Sequence, residues 1–262
     1  MENKAIISNS DFCEVCGKPR LGEIIVLGTK RTCRILCDCE AAERDALEEE
    51  RIAEIKANEI RSNRSAGFTD KKLMSCTFES DDGKNPELMR LCRGYADRFD
   101  ELKPQGMGLI LYGTVGNGKT YAAAAINNRL IDQGRRCLMT NMTRIINHLW
   151  NEEDKNAYID SLQSFDLLII DDFAAERNTE YMNEKVFEVV DSRYRSGLPI
   201  IITTNLTREE MMNPRDLNRQ RVFSRLLEVC APIEVTAADR RIDKAMANAS
   251  YINWVLTRKE NK

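Results

Sequence analysis

An eight-residue segment in the middle of the chain constrains its fold more than any other feature. The segment matches the pattern GxxxxGK[ST] without a mismatch and consists of Gly113, Thr114, Val115, Gly116, Asn117, Gly118, Lys119 and Thr120. It follows a short apolar stretch and opens an alanine-rich stretch with helical character. A glycine-rich loop between a strand and a helix lets backbone N–H groups and the helix N-terminus face phosphate oxygens. The segment therefore predicts a nucleotide-binding loop on an α/β domain.

Two side chains of this loop are predicted to bind the polyphosphate and its metal ion. A lysine at the position of Lys119 reaches the β- and γ-phosphates, and a hydroxyl at the position of Thr120 is a ligand of Mg²⁺. The alternative is a chance glycine-rich loop, but the place of the segment between a strand and a helix argues against it. The sequence therefore predicts that the chain binds ATP together with Mg²⁺.

Polar residues end two further apolar stretches. Asp171 and Asp172 end the stretch FDLLIIDD, so a carboxylate is expected at the carboxyl edge of a sheet, next to the phosphate loop. Asp171 is expected to hold Mg²⁺, and Asp172 to orient or deprotonate the attacking water, a role that Glu176 is near enough to share. Asn205 ends the stretch PIIITTN and is expected to position water beside the γ-phosphate. As alternatives, Asp172 caps the segment that follows it, and Asn205 caps residues 206–212.

Short, continuously apolar stretches alternate with helical patterns over most of the chain. The predicted strands cover residues 108–112, 136–140, 165–171 and 199–204. The predicted helices cover residues 119–133, 143–150 and 180–195. Strands that are apolar on both faces and joined by helices are typical of a parallel sheet covered on both sides. The predicted fold class is therefore α/β, with a parallel sheet and helices on both faces.

Five of the nine cysteines lie between residues 13 and 39. In a reducing compartment, such a cluster is typical of metal ligands rather than of disulfides. Cys13 and Cys16 form a CxxC turn followed by glycine, and the second half of the cluster offers Cys33, Cys37 and Cys39. Because a structural Zn²⁺ site takes four ligands, the cluster predicts a zinc site. Free thiols in an unfolded segment and a thiolate-bound iron–sulfur cluster are the alternatives.

The sequence predicts three parts. A zinc-binding domain is expected at residues 1–39, a charged helical linker at 40–67 and an ATPase domain at 68–262. The linker consists of strong helix formers with a thin apolar face, so both a solvated helix and a helix that docks on a partner stay open.

The overall charge and the apolar pattern limit the class of protein. The net charge of −3 argues against nucleic-acid binding through overall charge alone. No apolar run approaches the roughly 18 residues that span a bilayer. The beginning of the sequence lacks the apolar core of a signal peptide. A cytoplasmic location without a membrane partner is therefore expected.

The order of five segments resembles a known family. GTVGNGKT, LLIIDD, IITTN, RVFSRLL and AADRR occur in the order and at the spacing of the AAA+ ATPases in the DnaC/DnaI helicase-loader and IstB group. The likeness covers about residues 75–245, and the cysteine-rich start is similar to members with an amino-terminal zinc domain. The resemblance implies the AAA+ P-loop fold with a small zinc-binding domain in front of it.

The resemblance also implies roles for single residues. Asp171 and Asp172 match the acidic pair of the magnesium strand, and Asn205 matches the sensor of the γ-phosphate. Arg225 matches the arginine finger offered to the next subunit, and Arg240 matches the second sensor. Ser224 stands where relatives often have aspartate, which keeps Arg221 as the other candidate finger.

The CxC pair in the second half of the cysteine cluster resembles that of the family. On this basis the zinc ligands are expected to be Cys13, Cys16, Cys37 and Cys39, with Cys33 as the reserve ligand.

For function, the resemblance implies an ATP-dependent loader of a replicative DNA helicase in a bacterium or phage. Its ATPase reaction would be in-line attack of water on the γ-phosphate, and its partners would be the helicase and single-stranded DNA. It would act as a homo-oligomer or in an assembly templated by the helicase. Two alternatives stay open. One is an IstB-type transposition helper with a transposase partner and duplex DNA. The other is a nucleotide-dependent adaptor with negligible hydrolysis, because Asp172 stands where many AAA+ proteins have glutamate.

Overall fold

A computed structural model of the chain describes residues 12–174, 179–214, 216–237 and 240–257, with the backbone alone at 240–244 and 247. The chain divides into two compact units between Glu59 and Ile60. The division falls inside the first helix, α1 (Asp38–Ala66), so the segment predicted as a linker contributes residues to both units. This helix confirms the helical pattern that the sequence shows from residue 40 onward.

The first unit contains a β-hairpin in front of α1. Its strands are β1 (Leu21–Val26) and β2 (Thr29–Arg34), which pair antiparallel from Leu21 opposite Arg34 to Val26 opposite Thr29. Leu27 and Gly28 alone connect the strands, and both have a positive φ. The pairing of β1 with β2 was not predicted, because the residues of β2 are mostly polar and do not alternate.

The second unit is built on one parallel sheet. Its strands are β3 (Gly108–Tyr112), β4 (Cys137–Asn141), β5 (Leu167–Phe173), β6 (Ile200–Thr204) and β7 (Cys230–Glu234). They stand in the order β4-β5-β6-β3-β7, and every neighbouring pair is parallel. The structure confirms the four predicted strands to within two residues. The edge strand β7 was not predicted, because its sequence CAPIE is short and contains a proline.

Helices cover both faces of this sheet. They are α2 (Pro86–Asp97), α3 (Phe99–Leu102), α4 (Lys119–Asp132), α5 (Met142–Asn151), α6 (Lys155–Ser161), α7 (Glu180–Arg195), α8 (Arg208–Met212) and α9 (Leu217–Val229). The last described helix is α10 (Arg240–Thr257). Alternate side chains of each inner strand enter different cores. Leu109 and Leu111 of β3 join the core formed with α2 and α4, whereas Ile110 joins the core formed with α5, α7 and α9. Burial of each such side chain stabilises the fold by about 1.5–3 kcal/mol.

A buried arginine fixes the amino ends of two neighbouring strands. Arg193 of α7 is fully buried and donates hydrogen bonds to backbone carbonyls that immediately precede β5 and β6. Its Nη2 lies 2.8 Å from the carbonyl oxygen of Pro199 and 3.1 Å from that of Asp166. Burial lowers the pKa of Arg193 to about 10. These contacts lie at the end of the sheet opposite the phosphate loop, so they align the strands whose other ends carry the site residues.

Among the described residues, no helix combines the length and the apolar character needed to cross a membrane.

Candidate functional site

The predicted phosphate loop joins β3 to α4. Gly113, Gly116 and Gly118 all have a positive φ, which glycine adopts without the steric cost of a side chain. Gly113 is required for a second reason, because a Cβ at this position would lie 2.7 Å from the carbonyl oxygen of Val235. Gly118 precedes the first turn of α4 and supplies no side-chain cap. The backbone N–H groups of that turn are therefore available to donate hydrogen bonds to a bound anion.

Lys119 lies inside the curl of this loop. Its side chain is buried, and Nζ donates to the carbonyl oxygens of Gly113 at 2.9 Å and Thr114 at 2.6 Å. A third hydrogen bond, 3.1 Å long, goes to Oδ1 of Asn117. The Nδ2 of Asn117 in turn donates to the carbonyl oxygen of Val235, which follows β7. The loop therefore holds a positive charge where phosphate oxygens would approach, and it is fastened to the edge of the sheet.

The two residues predicted to bind Mg²⁺ are in direct contact. Thr120 Oγ1 donates to Oδ1 of Asp171 at 2.9 Å, so a hydroxyl and a carboxylate meet beside the phosphate loop. Oxygen atoms of this kind are the ligands that Mg²⁺ prefers. Thr203, at the end of the adjacent strand β6, donates to the same Oδ1 at 2.6 Å. Burial raises the pKa of Asp171, and the two hydroxyl hydrogen bonds oppose this rise.

Thr203 is a site residue whose contact the sequence analysis missed. The only signal was its place near the end of the apolar stretch PIIITTN, two residues before Asn205. Its hydroxyl also accepts a hydrogen bond from the backbone N–H of Asp172 at 2.9 Å. One buried threonine therefore orients both members of the acidic pair.

Asp172 is turned out of the sheet by an irregularity in β5. The pairing of β5 with β6 shifts register between Ile170 and Phe173, and Asp172 has a φ of +50°. A residue other than glycine pays roughly 1–2 kcal/mol for this conformation. The result is an exposed carboxylate that lines the same cleft as the phosphate loop. Strain of this kind is typical of functional sites.

The phosphate loop opens into a cleft of about 890 Å³. Asp172 and Asn205, the two residues predicted to act on water near the γ-phosphate, are among the residues that line this cleft. The other lining comes from a segment that the sequence analysis did not assign to the site, with Asp70, Lys72, Leu73, Cys76, Ser80 and Asp82. Hydrogen bonds from Tyr121 and Asn128 of α4 to backbone carbonyls hold this segment in place. The volume is that of a pocket for a nucleotide-sized ligand.

The predicted arginines have different surroundings. Arg225 of α9 is half-buried and forms an ion pair with Asp191 of α7, and its guanidinium lies 4.8 Å from the ring centre of Phe187. Arg221 lies one turn earlier, and its exposed side chain has no ion pair within the described parts of the chain. Arg240 begins α10, but its side chain lies outside the description. Glu176 also lies outside the described residues.

Four of the five clustered cysteines come together in the first unit. The Sγ atoms of Cys13, Cys16, Cys37 and Cys39 all lie within 4.8 Å of one another. Cys39 is central, with its Sγ 3.1 Å from that of Cys37 and 3.3 Å from that of Cys13. Cys33 lies in β2 and does not belong to the group. Four thiols at one point match the donor set and the number of ligands of a structural zinc site.

The CxxC turn holds the first two thiols in place. The backbone N–H of Gly17 donates to the carbonyl oxygen of Cys13 at 2.8 Å, and Gly17 has a φ of +68°. Hydrogen bonds from the backbone at Cys16 and Val15 lower the pKa of Cys13 to about 6. A thiol with a lowered pKa loses its proton readily, and the resulting thiolate is the species that binds a metal ion.

Comparisons with known proteins relate the second unit to a family of ATP-binding proteins. The sequence model of the family described as IstB-like ATP binding protein matches residues 96–246, which include the phosphate loop, Asp171 and Asn205. The replicative helicase loader DnaI of Bacillus subtilis is 23% identical over 189 residues, 66% of this chain and 61% of the relative. An insertion sequence ATP-binding protein of Sinorhizobium fredii is 35% identical over 109 residues, 40% of this chain and 36% of the relative. The chain thus spans less than two thirds of the length of these relatives.

Solved structures show the same fold. A crystal structure of DnaI has a TM-score of 0.56 at 20% identity and covers 68% of this chain and 99% of its own. A crystal structure of the DnaC helicase loader has a TM-score of 0.55 at 22% identity, and the match covers 64% of this chain and 100% of the DnaC chain. These similarities confirm the AAA+ P-loop fold that the resemblance implied. Because the family model matches more than half of the chain and includes its phosphate loop, the protein belongs to the IstB-like ATP-binding protein family.

Proposed function

We propose that the protein is an ATP-dependent loader of a replicative DNA helicase. The observation that supports ATP binding is the contact between Thr120 and Asp171 beside the curled phosphate loop. This contact brings together the oxygen ligands that the Mg²⁺ of Mg-ATP requires. The names of two relatives, the replicative helicase loaders DnaI and DnaC, support the proposed role in helicase loading.

Different residues of the cleft bind the phosphates and the metal ion of Mg-ATP. The loop N–H groups and Lys119 hold the phosphates, and the oxygens of Thr120 and Asp171 hold Mg²⁺, which neutralises phosphate charge when bound. Thr203 keeps Asp171 oriented and counters the effect of burial on its pKa. The affinity for Mg-ATP therefore depends on an ionised Asp171.

The same cleft is proposed to hydrolyse ATP. The exposed carboxylate of Asp172 and the amide of Asn205 orient a water molecule for in-line attack on the γ-phosphorus, and Asp172 accepts its proton. Arg225 or Arg221 then acts as the finger that a neighbouring subunit receives, and Arg240 acts as the second sensor. A finger role for Arg225 requires its release from Asp191, whereas Arg221 is already exposed.

The cysteine group is proposed to bind one Zn²⁺ through Cys13, Cys16, Cys37 and Cys39. The two-stranded hairpin beside it is too small to fold on a core of its own, so metal binding supplies folding free energy to this unit. The first unit, together with α1, is proposed to hold the helicase, while the ATPase unit forms the homo-oligomer or helicase-templated assembly that contacts single-stranded DNA.

The loading function is tested by native mass spectrometry of the protein mixed with the replicative helicase of the same organism, with ATP and zinc present. We expect a defined complex that is lost when residues 1–64 are deleted. The absence of a complex between two folded proteins with bound nucleotide would refute the loader.

The nucleotide site is tested by Lys119→Ala, which removes the charge at the centre of the loop. We expect ATP affinity, measured by calorimetry, to fall by at least about 100-fold, which corresponds to about 2.7 kcal/mol. Lys155 at the start of α6 is exposed and does not line the cleft, so Lys155→Ala is the matched control and should keep the wild-type affinity. Unchanged affinity in Lys119→Ala would refute the assignment of the site.

The second candidate is a transposition helper. It is favoured by the 35% identity to an insertion sequence protein and by the name of the matching family. In this case the protein would bind duplex DNA and a transposase and would leave the helicase unbound. A third reading, an adaptor with negligible turnover, is excluded if steady-state phosphate release is measurable with or without single-stranded DNA.

A further inference from the structure

A carboxylate at the start of α1 holds the second half of the cysteine group. Glu40 lies in the first turn of α1, and its Oε2 accepts a hydrogen bond from the backbone N–H of Cys37 at 3.3 Å. This contact fixes the backbone that carries the CxC pair of Cys37 and Cys39. The same Oε2 lies 3.5 Å from Sγ of Cys37, so a negative charge stands beside one thiol of the group.

One arginine joins this carboxylate to the first half of the cysteine group. Nη2 of Arg20 lies 2.8 Å from Oε1 of Glu40 and 3.8 Å from Sγ of Cys13. Arg20 directly precedes β1, and its backbone carbonyl accepts a hydrogen bond from the N–H of Ile35 at 2.7 Å. The side chains of Arg20 and Glu40 are both largely buried. A single guanidinium therefore connects the CxxC turn to the start of α1.

The charge of a zinc site with four thiolates explains a cation at this place. Four thiolates carry more negative charge than one Zn²⁺ neutralises, and Glu40 adds to the excess. Arg20 contacts both sources of this charge, and Arg34 pairs with the same oxygen of Glu40 at 3.3 Å. Because the pair of Arg20 and Glu40 is partly buried, salt screens it less than it screens an exposed ion pair.

We propose that Arg20 is the positioning residue of the zinc site, an inference that rests on the zinc binding proposed above. With Zn²⁺ in place, Arg20 donates a hydrogen bond to the thiolate of Cys13 and neutralises the carboxylate that positions the CxC pair. Arg20 is not itself a ligand, since a guanidinium stays protonated and only donates hydrogen bonds. Contacts of this kind orient metal ligands and tune their strength as electron donors.

The test uses the full chain with Arg20→Met, which keeps much of the side-chain volume and removes the charge. We expect affinity for Zn²⁺, measured by competition with a chromophoric chelator, to fall about 10- to 100-fold. The second readout is the thiolate-to-metal charge-transfer band of the protein loaded with Co²⁺. Without the hydrogen bond Cys13 is a stronger electron donor, so the band should move to lower energy. A purely structural role of Arg20 would reduce the amount of bound Co²⁺ without moving the band.

Two further variants complete the experiment. Arg31→Met is the matched control, because Arg31 is exposed on β2 of the same unit and has no ion pair within the described parts of the chain. It should keep the affinity and the band of the wild type. Arg20→Lys restores the charge and should bind Zn²⁺ about threefold or more tightly than Arg20→Met. This comparison decides the outcome even where Arg20→Met takes up too little Co²⁺ for a spectrum.

The possible results separate the role of Arg20 from the zinc site itself. Wild-type affinity and an unshifted band in Arg20→Met would overturn the proposal and leave the zinc site in place. Equal losses of affinity in Arg20→Lys and Arg20→Met would also overturn it, because the charge would then have no effect. If the wild-type chain takes up neither Zn²⁺ nor Co²⁺, the zinc site of the proposed function is itself wrong.

Discussion

Arg225 and Asp191 form an ion pair within one chain, with 2.6 Å between Nε of the arginine and Oδ1 of the aspartate. The second oxygen of Asp191 is engaged by Arg195 at 2.9 Å. The rings of Phe187 and Tyr194 lie against the Arg225 guanidinium. This cluster joins α7 to α9, so Arg225 has a structural role in addition to any role toward a neighbouring subunit.

Asp191→Ala is predicted to lower the free energy of unfolding by about 1–3 kcal/mol, because it leaves half-buried Arg225 without its carboxylate. Urea denaturation followed by circular dichroism measures this change. The control Arg221→Ala removes an exposed arginine one turn away and should change stability by no more than about 0.5 kcal/mol. Equal stabilities of the two variants would contradict the structural role.

Thr203→Val is predicted to weaken Mg²⁺-dependent ATP binding by about 10- to 100-fold, because it removes the hydroxyl that orients Asp171. Its effect depends on pH. That hydroxyl lowers the pKa of Asp171, so its loss raises this pKa further. Since Mg²⁺ needs the ionised carboxylate, affinity falls as the pH drops through the pKa of Asp171, and in Thr203→Val the fall begins at higher pH.

Calorimetric titrations with Mg-ATP over a series of pH values measure both effects of Thr203→Val. Thr203→Ser keeps the hydroxyl and serves as the control, with near wild-type affinity expected. A pH profile of Thr203→Val identical to the wild type would show that the hydroxyl does not act on Asp171.

Cys39→Ser is predicted to remove bound zinc and to unfold the first unit, because Cys39 contacts the other three thiols of the group. Cys33→Ser is the matched control and should keep about one zinc ion per chain, since Cys33 lies outside the group. Metal content by mass spectrometry and limited proteolysis measure the two outcomes. Loss of zinc in Cys33→Ser with retention in Cys39→Ser would reverse the assignment of the ligands.

Arg193→Met is predicted to lower the free energy of unfolding by about 3 kcal/mol or more, because it removes the donors to several buried carbonyls while it keeps much of the volume. Thermal unfolding with and without ATP measures the loss. The exposed neighbour Arg195 gives the control Arg195→Met, for which a smaller change is expected. A stability of Arg193→Met near that of the control would contradict the role of Arg193 in aligning the strands.

The central part of the fold could be predicted because its signals are local. The apolar strands and the loop that ends at Thr120 follow from composition and order alone, and the structure confirms the strands. Strand β7 and hairpin strand β2 were missed because largely exposed edge strands lack an apolar signal. Arg193 was missed because a charged residue in a helix predicts a solvated face, whereas here distant carbonyls surround it. The cleft lining at residues 70–82 depends on tertiary contacts that no spacing in the sequence encodes.

The position of β3 in the sheet has a consequence for folding. Its two neighbours, β6 and β7, come late in the sequence. The residue after β7, Val235, donates a backbone hydrogen bond to Tyr112 and accepts one from the side chain of Asn117. Contacts between distant parts of a chain carry a loop-closure cost and form slowly. A nascent chain that ends before residue 230 therefore contains the whole phosphate-binding sequence but lacks the strand that borders it. The loop reaches its final shape only when synthesis of the domain is nearly complete.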